Sequence, residues 1–154
     1  MDGMSDLRIA VSVEEQRLRL YQGDQEIRNY VISTAANGTG CEEGSNCTPL
    51  GRFEIGEKFG HESPLGTIFK GREPVGEWAL GDESDEDLIL SRILWLVGLD
   101  EDNANTHERY IYIHGTNQED LLGQPVSHGC VRMRNDEIIE FFDLVPEGTP
   151  LRIV

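Results

Sequence analysis

Hydrophobic and polar residues alternate along much of the chain, with the period of a half-buried β-strand. The first such runs cover residues 7–13, 17–21 and 26–32, and Gln22-Gly23-Asp24 forms a turn between the last two. Together they predict a meander of three strands. Further strands are predicted at residues 52–55, 93–97, 110–113 and 151–154.

One segment, residues 136–145, follows helical spacing instead, and Asn135 is a suitable cap before it. Pro146 ends the pattern. The apolar positions that define this helix are Ile138, Ile139, Phe141, Phe142 and Val145. The predicted fold class is therefore mainly β, with one principal helix packed on the strands.

Length and charge narrow the class of protein. A chain of 154 residues suits one domain covering residues 1–154. Its 29 acidic against 13 basic side chains give a net charge of −16, which argues against nucleic acid and anionic membranes as partners. Residues 1–8 lack the basic start and apolar run of a secretory signal, which predicts a cytoplasmic protein. A chain trimmed of its signal would look the same and would be periplasmic.

The candidate chemistry lies in two short motifs, Ile113-His114-Gly115-Thr116 and Ser127-His128-Gly129-Cys130-Val131-Arg132. A thiol is a good nucleophile only where a histidine, a cation or oriented N–H groups favour the thiolate, and these motifs supply such groups. Gly129 leaves the approach to the sulphur open. The alternative is a buried, inert cysteine.

These motifs resemble the L,D-transpeptidase catalytic domain family of the YkuD type. That family shares a His-Gly at a strand end, a short loop, and Ser-His-Gly-Cys followed by an apolar residue and often Arg. The segment from Thr48 to Phe53 and the helix after Asn135 also match its pattern. Members that carry a longer gap and an Asn two positions after the cysteine differ from this chain, which has Arg132 there, so the subgroup and the acceptor stay open.

The resemblance implies a role for each motif residue. Cys130 would be the nucleophile, His114 its base, and the carbonyl of Gly115 would orient His114. His128 would steady the substrate or the oxyanion, with N–H groups around Gly129 and Cys130 as donors. The residues expected to bind substrate are Arg132, Ser127 and Thr116. For Arg132, a salt bridge to a nearby acid is the alternative.

The implied fold is a mixed β sandwich or barrel, and the implied reaction is attack of Cys130 on a peptidoglycan stem tetrapeptide with release of D-alanine. Hydrolysis of soluble muropeptides is the preferred outcome. The alternatives are transfer to a second stem peptide or a D-amino acid, and a muropeptide-binding module without turnover. No metal or organic cofactor is expected, and the oligomeric state is open.

The remaining polar clusters predict no second site. Cys41 and Cys47 could pair in an oxidising compartment or stay as thiols, and their spacing disfavours zinc. The acidic runs at residues 82–87 and 100–102 are expected to be solvated loops rather than calcium sites. His61 and His107 are expected at the surface, and Trp95 in the core or a cleft wall.

Overall fold

The computed structural model describes residues 6–79, 84 and 87–154, and its strands form one mixed sheet. The ten strands are β1 (Leu7–Ser12), β2 (Arg17–Gln22), β3 (Gln25–Val31), β4 (Gly51–Phe59), β5 (Thr67–Lys70), β6 (Glu73–Glu77), β7 (Ile89–Gly98), β8 (Tyr112–Thr116), β9 (Val131–Met133) and β10 (Pro150–Ile153). Single 3₁₀ turns lie at Glu101–Asn103 and Glu119–Leu121. The prediction of a mainly β fold is confirmed.

The strand order is β3-β2-β1-β10-β4-β7-β5-β6, and β8 and β9 branch from β7. Most neighbours are antiparallel, but β1 pairs with β10 and β8 pairs with β9 in parallel. The meander predicted at the start is β1 to β3. The parallel pair β8–β9 matters most for function, because it carries both motifs.

The described part of the chain has one α-helix, α1 (Asn135–Leu144), which packs its apolar face on the sheet. Ile138, Phe141 and Phe142 are buried, as the spacing predicted. Asn135 is not the cap, however: the helix begins with it, and the preceding residue Arg134 makes no capping side-chain bond. The side chain of Asn135 instead accepts a bond from Ser91 and donates to the carbonyl of Thr116. It thereby ties the helix to strands β7 and β8.

Three strands, β5, β6 and β9, were not predicted by the pattern. Strand β6 is exposed throughout and contains Pro74 and Gly76, and β9 has only three residues, all buried. The strand predicted at residues 110–113 begins two residues later, because Tyr110 has a positive φ of 58°. His114 therefore lies inside β8, not where a strand opens into a loop.

Among the described residues, no helix is long and apolar enough to cross a membrane. Likewise, within the described ranges no three His, Cys, Asp or Glu side chains converge as metal ligands would.

Candidate active site

The register of β8 and β9 gathers the candidate residues on one face. Ile113 pairs with Val131, and both side chains enter the main core. Because side chains alternate between the two faces of a sheet, His114 and Cys130 point to the opposite side, together with Arg132, the strand partner of His114. Cys130 is two residues before Arg132, so the thiol and the imidazole are diagonal neighbours on this face.

The turn before Cys130 is held by hydrogen bonds within the motif. Ser127 donates its hydroxyl proton to the carbonyl of Cys130 (2.7 Å) and accepts the N–H of Gly129 (3.2 Å). Gly129 has a φ of +125°, and a Cβ there would lie 3.2 Å from the carbonyl oxygen of Cys47. Thr48 donates to the Gly129 carbonyl (2.9 Å). The loop that ends at Cys47 and Thr48 thus borders the turn.

The Cys130 thiol is half-buried beside two tyrosines. Its sulphur accepts the N–H of Tyr112 (3.3 Å) and donates to the carbonyl of Tyr110 (3.4 Å). Burial raises the pKa of Cys130 to about 11, against the smaller opposing effect of the Tyr112 N–H. The resting group is therefore a thiol at neutral pH. Cys130, Cys41 and Cys47 are all free.

His114 is buried, with a fixed tautomer. Its Nδ1 lies 2.6 Å from the carbonyl oxygen of Gly115. A carbonyl can only accept, so Nδ1 carries the proton and Nε2 keeps a lone pair. Burial lowers the pKa of His114, which keeps the imidazole neutral at pH 7. The Gly115 carbonyl thus fixes the orientation of the His114 ring.

The space around Gly115 leaves no room for a side chain. A Cβ there would overlap Oδ1 of Asn135 and lie 2.6 Å from the carbonyl oxygen of Leu90. This close approach holds the Gly115 backbone, and with it the carbonyl that orients His114.

Asp87 joins two of the motif residues. Its Oδ2 lies 2.8 Å from Nη2 of Arg132 and 3.2 Å from Nδ1 of His128. The Arg132 side chain is only 2% exposed and also donates to Gln118 (2.8 Å). Arg132 is therefore a buried structural cation and not a receptor for a substrate carboxylate, and the salt bridge left open by the sequence is the correct interpretation.

His128 is exposed at the edge of the site, where it could still meet a substrate while it contacts Asp87. Asp87 itself was expected to be part of a solvated acidic run. Residues 82, 83, 85 and 86 of that run lie outside the described residues. Its position before strand β7 carried no signal that distinguished Asp87 from the other acids.

An aromatic cluster forms the wall next to Cys130. Cys130 packs against a cluster that includes Trp95 and Tyr112. The Trp95 ring is 7% exposed, and Tyr110 stacks on it with ring centroids 5.7 Å apart. His107 lies at the surface, as expected, with its side chain 40% exposed, and it also stacks on Trp95 at 3.7 Å. Of the two positions expected for Trp95, core or cleft wall, the structure shows the core.

The model of the L,D-transpeptidase catalytic domain family, YkuD, matches residues 6–153. The chain belongs to this family. The YkuD protein of Bacillus licheniformis is 30% identical over 146 residues, covering 95% of this chain and 64% of that protein. YqjB of Bacillus subtilis is 46% identical over 52 residues, or 34% of this chain and 30% of that protein. The chain thus spans less than two thirds of these relatives.

Solved structures show the same fold at low identity. An L,D-transpeptidase from Mycobacterium smegmatis superposes with a TM-score of 0.63 at 15% identity, over 97% of this chain and 58% of that one. An L,D-transpeptidase from Xylanimonas cellulosilytica superposes with a TM-score of 0.63 at 16% identity, over 96% of this chain and 60% of that one.

Two further expectations for this L,D-transpeptidase domain change with the geometry. Ser127 is 2% exposed and its hydroxyl donates to the Cys130 carbonyl within the turn, so it is not a substrate contact. Because the Gly129 N–H is bonded to Ser127, Cys130 is the remaining backbone donor of the predicted pair.

Thr116 accepts the N–H of Gln118 (3.0 Å) and lines a cavity of about 440 Å³ at the far end of β8. This cavity is separate from Cys130 and His114. The residues that line it are Leu65, Gly66, Trp78, Thr116, Asn117, Glu119, Asp120, Arg134, Asn135 and Asp136.

Proposed function

We propose that this domain is a cysteine enzyme that cleaves peptidoglycan stem tetrapeptides through a thioester on Cys130. The observation that carries the proposal is the fixed tautomer of His114: its Nδ1–H is held by Gly115, and its Nε2 is free to take a proton on the face that Cys130 shares. Membership of the family supplies the substrate class.

The two pKa shifts define how the reaction starts. A raised thiol pKa and a lowered imidazole pKa favour a neutral pair at rest over a thiolate–imidazolium pair. His114 would therefore act as a general base during attack. The sulphur bonds to the carbonyl carbon between the L-centre and D-alanine, and the thiol proton passes to Nε2.

Collapse of the tetrahedral intermediate breaks the C–N bond. The proton held on His114 passes to the leaving amine, so D-alanine departs as a neutral amine and the peptide stays on Cys130 as a thioester. The backbone N–H of Cys130 is the proposed donor to the oxyanion, with His128 as a second group at the exposed side.

We propose hydrolysis as the default fate of the thioester. Cys130 is partly exposed, which favours access of water to the bond, whereas an amine acceptor must first be bound. In this scheme His114 activates the water by the same lone pair. Soluble muropeptides in the cytoplasm are the proposed substrates. The second candidate, transfer to an amine, is favoured by the family itself, whose description is that of transpeptidases.

The test is incubation of the protein with a stem tetrapeptide, with mass spectrometry of both the protein and released D-alanine. We expect a thioester on Cys130, none in Cys130→Ala, and acylation slowed by about 10²–10⁴-fold in His114→Ala. Cys41→Ala is the matched control, because it removes a thiol outside the site. Binding without product would favour the non-catalytic module and reject the enzyme.

Adding a D-amino acid or a second stem peptide to the same reaction decides the acceptor. Tripeptide as the main product supports hydrolysis. An exchanged or cross-linked product in high yield would overturn hydrolysis and leave the thioester half of the proposal standing.

A further inference from the structure

Arg72 lies against the aromatic wall beside Cys130. Its guanidinium carbon is 4.5 Å from the centroid of Trp95 and 5.5 Å from that of Tyr110. Its Nη1 donates to the hydroxyl of Tyr112 at 3.0 Å. Such cation–π contacts with a hydrogen bond hold a charged group in one place. Arg72 is therefore positioned rather than freely mobile.

The backbone at Arg72 is unusual. Lys70 pairs with Glu73, so Gly71 and Arg72 form the two-residue turn between β5 and β6. Both have positive φ, 56° and 66°. The second place of such a turn favours Gly, Asn or Asp, and a long side chain there is a local cost. The contacts that the guanidinium makes offset this cost and fix its direction.

Arg72 forms no salt bridge with the described residues; its pKa is raised chiefly by the hydrogen bond to Tyr112, with a smaller contribution from Glu57. Arg19, Arg52 and Arg132 pair with carboxylates, whereas Arg72, like Arg8 and Arg109, forms no salt bridge among the described residues. Within residues 6–79, 84 and 87–154, Arg72 has no carboxylate oxygen within 4.0 Å, and its one hydrogen bond goes to Tyr112. A guanidinium has five N–H donors, so most of them remain for a ligand.

The route from Arg72 to the sulphur is short. The Tyr112 hydroxyl receives the Arg72 bond, and the backbone N–H of the same residue contacts the sulphur of Cys130. One tyrosine side chain thus separates the guanidinium from the thiol. We propose that Arg72, on the wall of Trp95, Tyr110 and Tyr112, forms the subsite that binds a carboxylate of the peptide that acylates Cys130.

This inference rests on the proposed function for the identity of the peptide, but the charge at the subsite can be tested without it. Iodoacetate and iodoacetamide alkylate the same thiol and differ in charge. Their rates at Cys130, followed by site-resolved mass spectrometry, give a ratio that reports the charges around the sulphur, which include Arg109 and Arg132. The change of this ratio on substitution of Arg72 therefore measures the contribution of Arg72. Arg72→Asn removes the charge, and asparagine suits the turn, so the hairpin should keep its fold.

We expect the iodoacetate-to-iodoacetamide ratio to fall on the order of fivefold in Arg72→Asn and to stay near the original value in Arg72→Lys. Arg8→Gln is the matched control, since Arg8 lies over Tyr21 at 4.1 Å in the distant β1–β2 pair. An unchanged ratio in Arg72→Asn, or an equal fall in Arg8→Gln, would overturn the proposal.

Peptides with single carboxyl groups converted to carboxamides then identify the ligand. For the free peptide we expect Arg72→Asn to lower kcat/KM for acylation by about 10- to 100-fold, the worth of a charge-assisted hydrogen bond. Conversion of one particular carboxyl group to a carboxamide should make kcat/KM the same for the original protein and for Arg72→Asn. The carboxylate at that position is then the ligand of Arg72. If the peptide acylates the original protein but every carboxamide peptide still gives a lower kcat/KM with Arg72→Asn, Arg72 binds no carboxylate. If no peptide acylates the original protein, the proposed function fails, and the alkylation ratio still decides on Arg72.

Discussion

Removal of the Asp87 carboxylate tests whether Arg132 is a structural cation. The Arg132 side chain is 2% exposed, and its charge is compensated by Asp87 at 2.8 Å. In Asp87→Ala the guanidinium would keep the neutral oxygen of Gln118 but lose its counter-charge. Breaking a buried pair from one side costs about 3–5 kcal/mol, because an uncompensated charge stays behind.

Two features make the expected loss of stability in Asp87→Ala smaller than this cost. The Asp87 side chain is 24% exposed, so water screens part of the interaction. The contact is also a single N–H, since Nε of Arg132 has no partner among the described residues. We therefore expect a loss of about 2–3 kcal/mol in the free energy of unfolding. With an m-value of about 2 kcal/mol per molar urea, the midpoint should fall by about 1–1.5 M.

Urea unfolding followed by tryptophan fluorescence measures this shift. Asp87→Asn is the matched control: it keeps an oxygen for Arg132 without the charge and should lose less. The double variant Asp87→Ala with Arg132→Met should regain stability, because neither charge remains buried. A loss below about 1 kcal/mol in Asp87→Ala, or a double variant no more stable than Asp87→Ala, would refute the reasoning.

Three further changes probe the same site. Gly115→Ala should cost about 1–3 kcal/mol in thermal unfolding and slow acylation, because its Cβ would overlap Asn135 and displace the carbonyl that orients His114. Ser127→Ala should cost about 1–3 kcal/mol by leaving the Gly129 N–H without its partner, and equal stability would contradict the turn described above. Burial lowers the pKa of His114 below its unfolded value, so the unfolded chain binds more protons and stability should decline as pH falls below about 6.5. The free energy of unfolding of His114→Gln should therefore fall less between pH 7 and pH 5 than that of the original protein. Equal declines of the two proteins, measured by urea unfolding, would contradict the lowered pKa of His114.

The sequence predicted those parts of the site that depend on local order. His114 and Gly115 lie in β8, Gly129 and Cys130 lie immediately before β9, and the two strands pair with the core residues Ile113 and Val131 side by side. Once that register is set, alternation alone brings the imidazole and the thiol to one face. The bond from His114 to Gly115 is between adjacent residues and needs no distant contact.

The parts that escaped prediction depend on distant contacts. Nothing in a sequence with 29 acids tells which one will reach a given arginine. Asp87, just before β7, contacts Arg132 of β9, and periodicity does not encode such a contact. The hairpin that carries Arg72 was missed for a related reason. Its strand β6 is exposed and lacks the alternation by which strands are detected.

The two arginines show why proximity in sequence is a poor guide to substrate contact. Arg132 is two residues from Cys130, and this spacing places both side chains on one face, but as the direct strand partner of His114 it lies beneath Asp87. A cation whose charge is already compensated has little left for a ligand. Arg72 approaches from a separate hairpin and, among the described residues, has no carboxylate oxygen within 4.0 Å. In a chain of net charge −16, carboxylates are abundant, so an arginine fixed on aromatic rings without one is the better place for a substrate's carboxylate to bind.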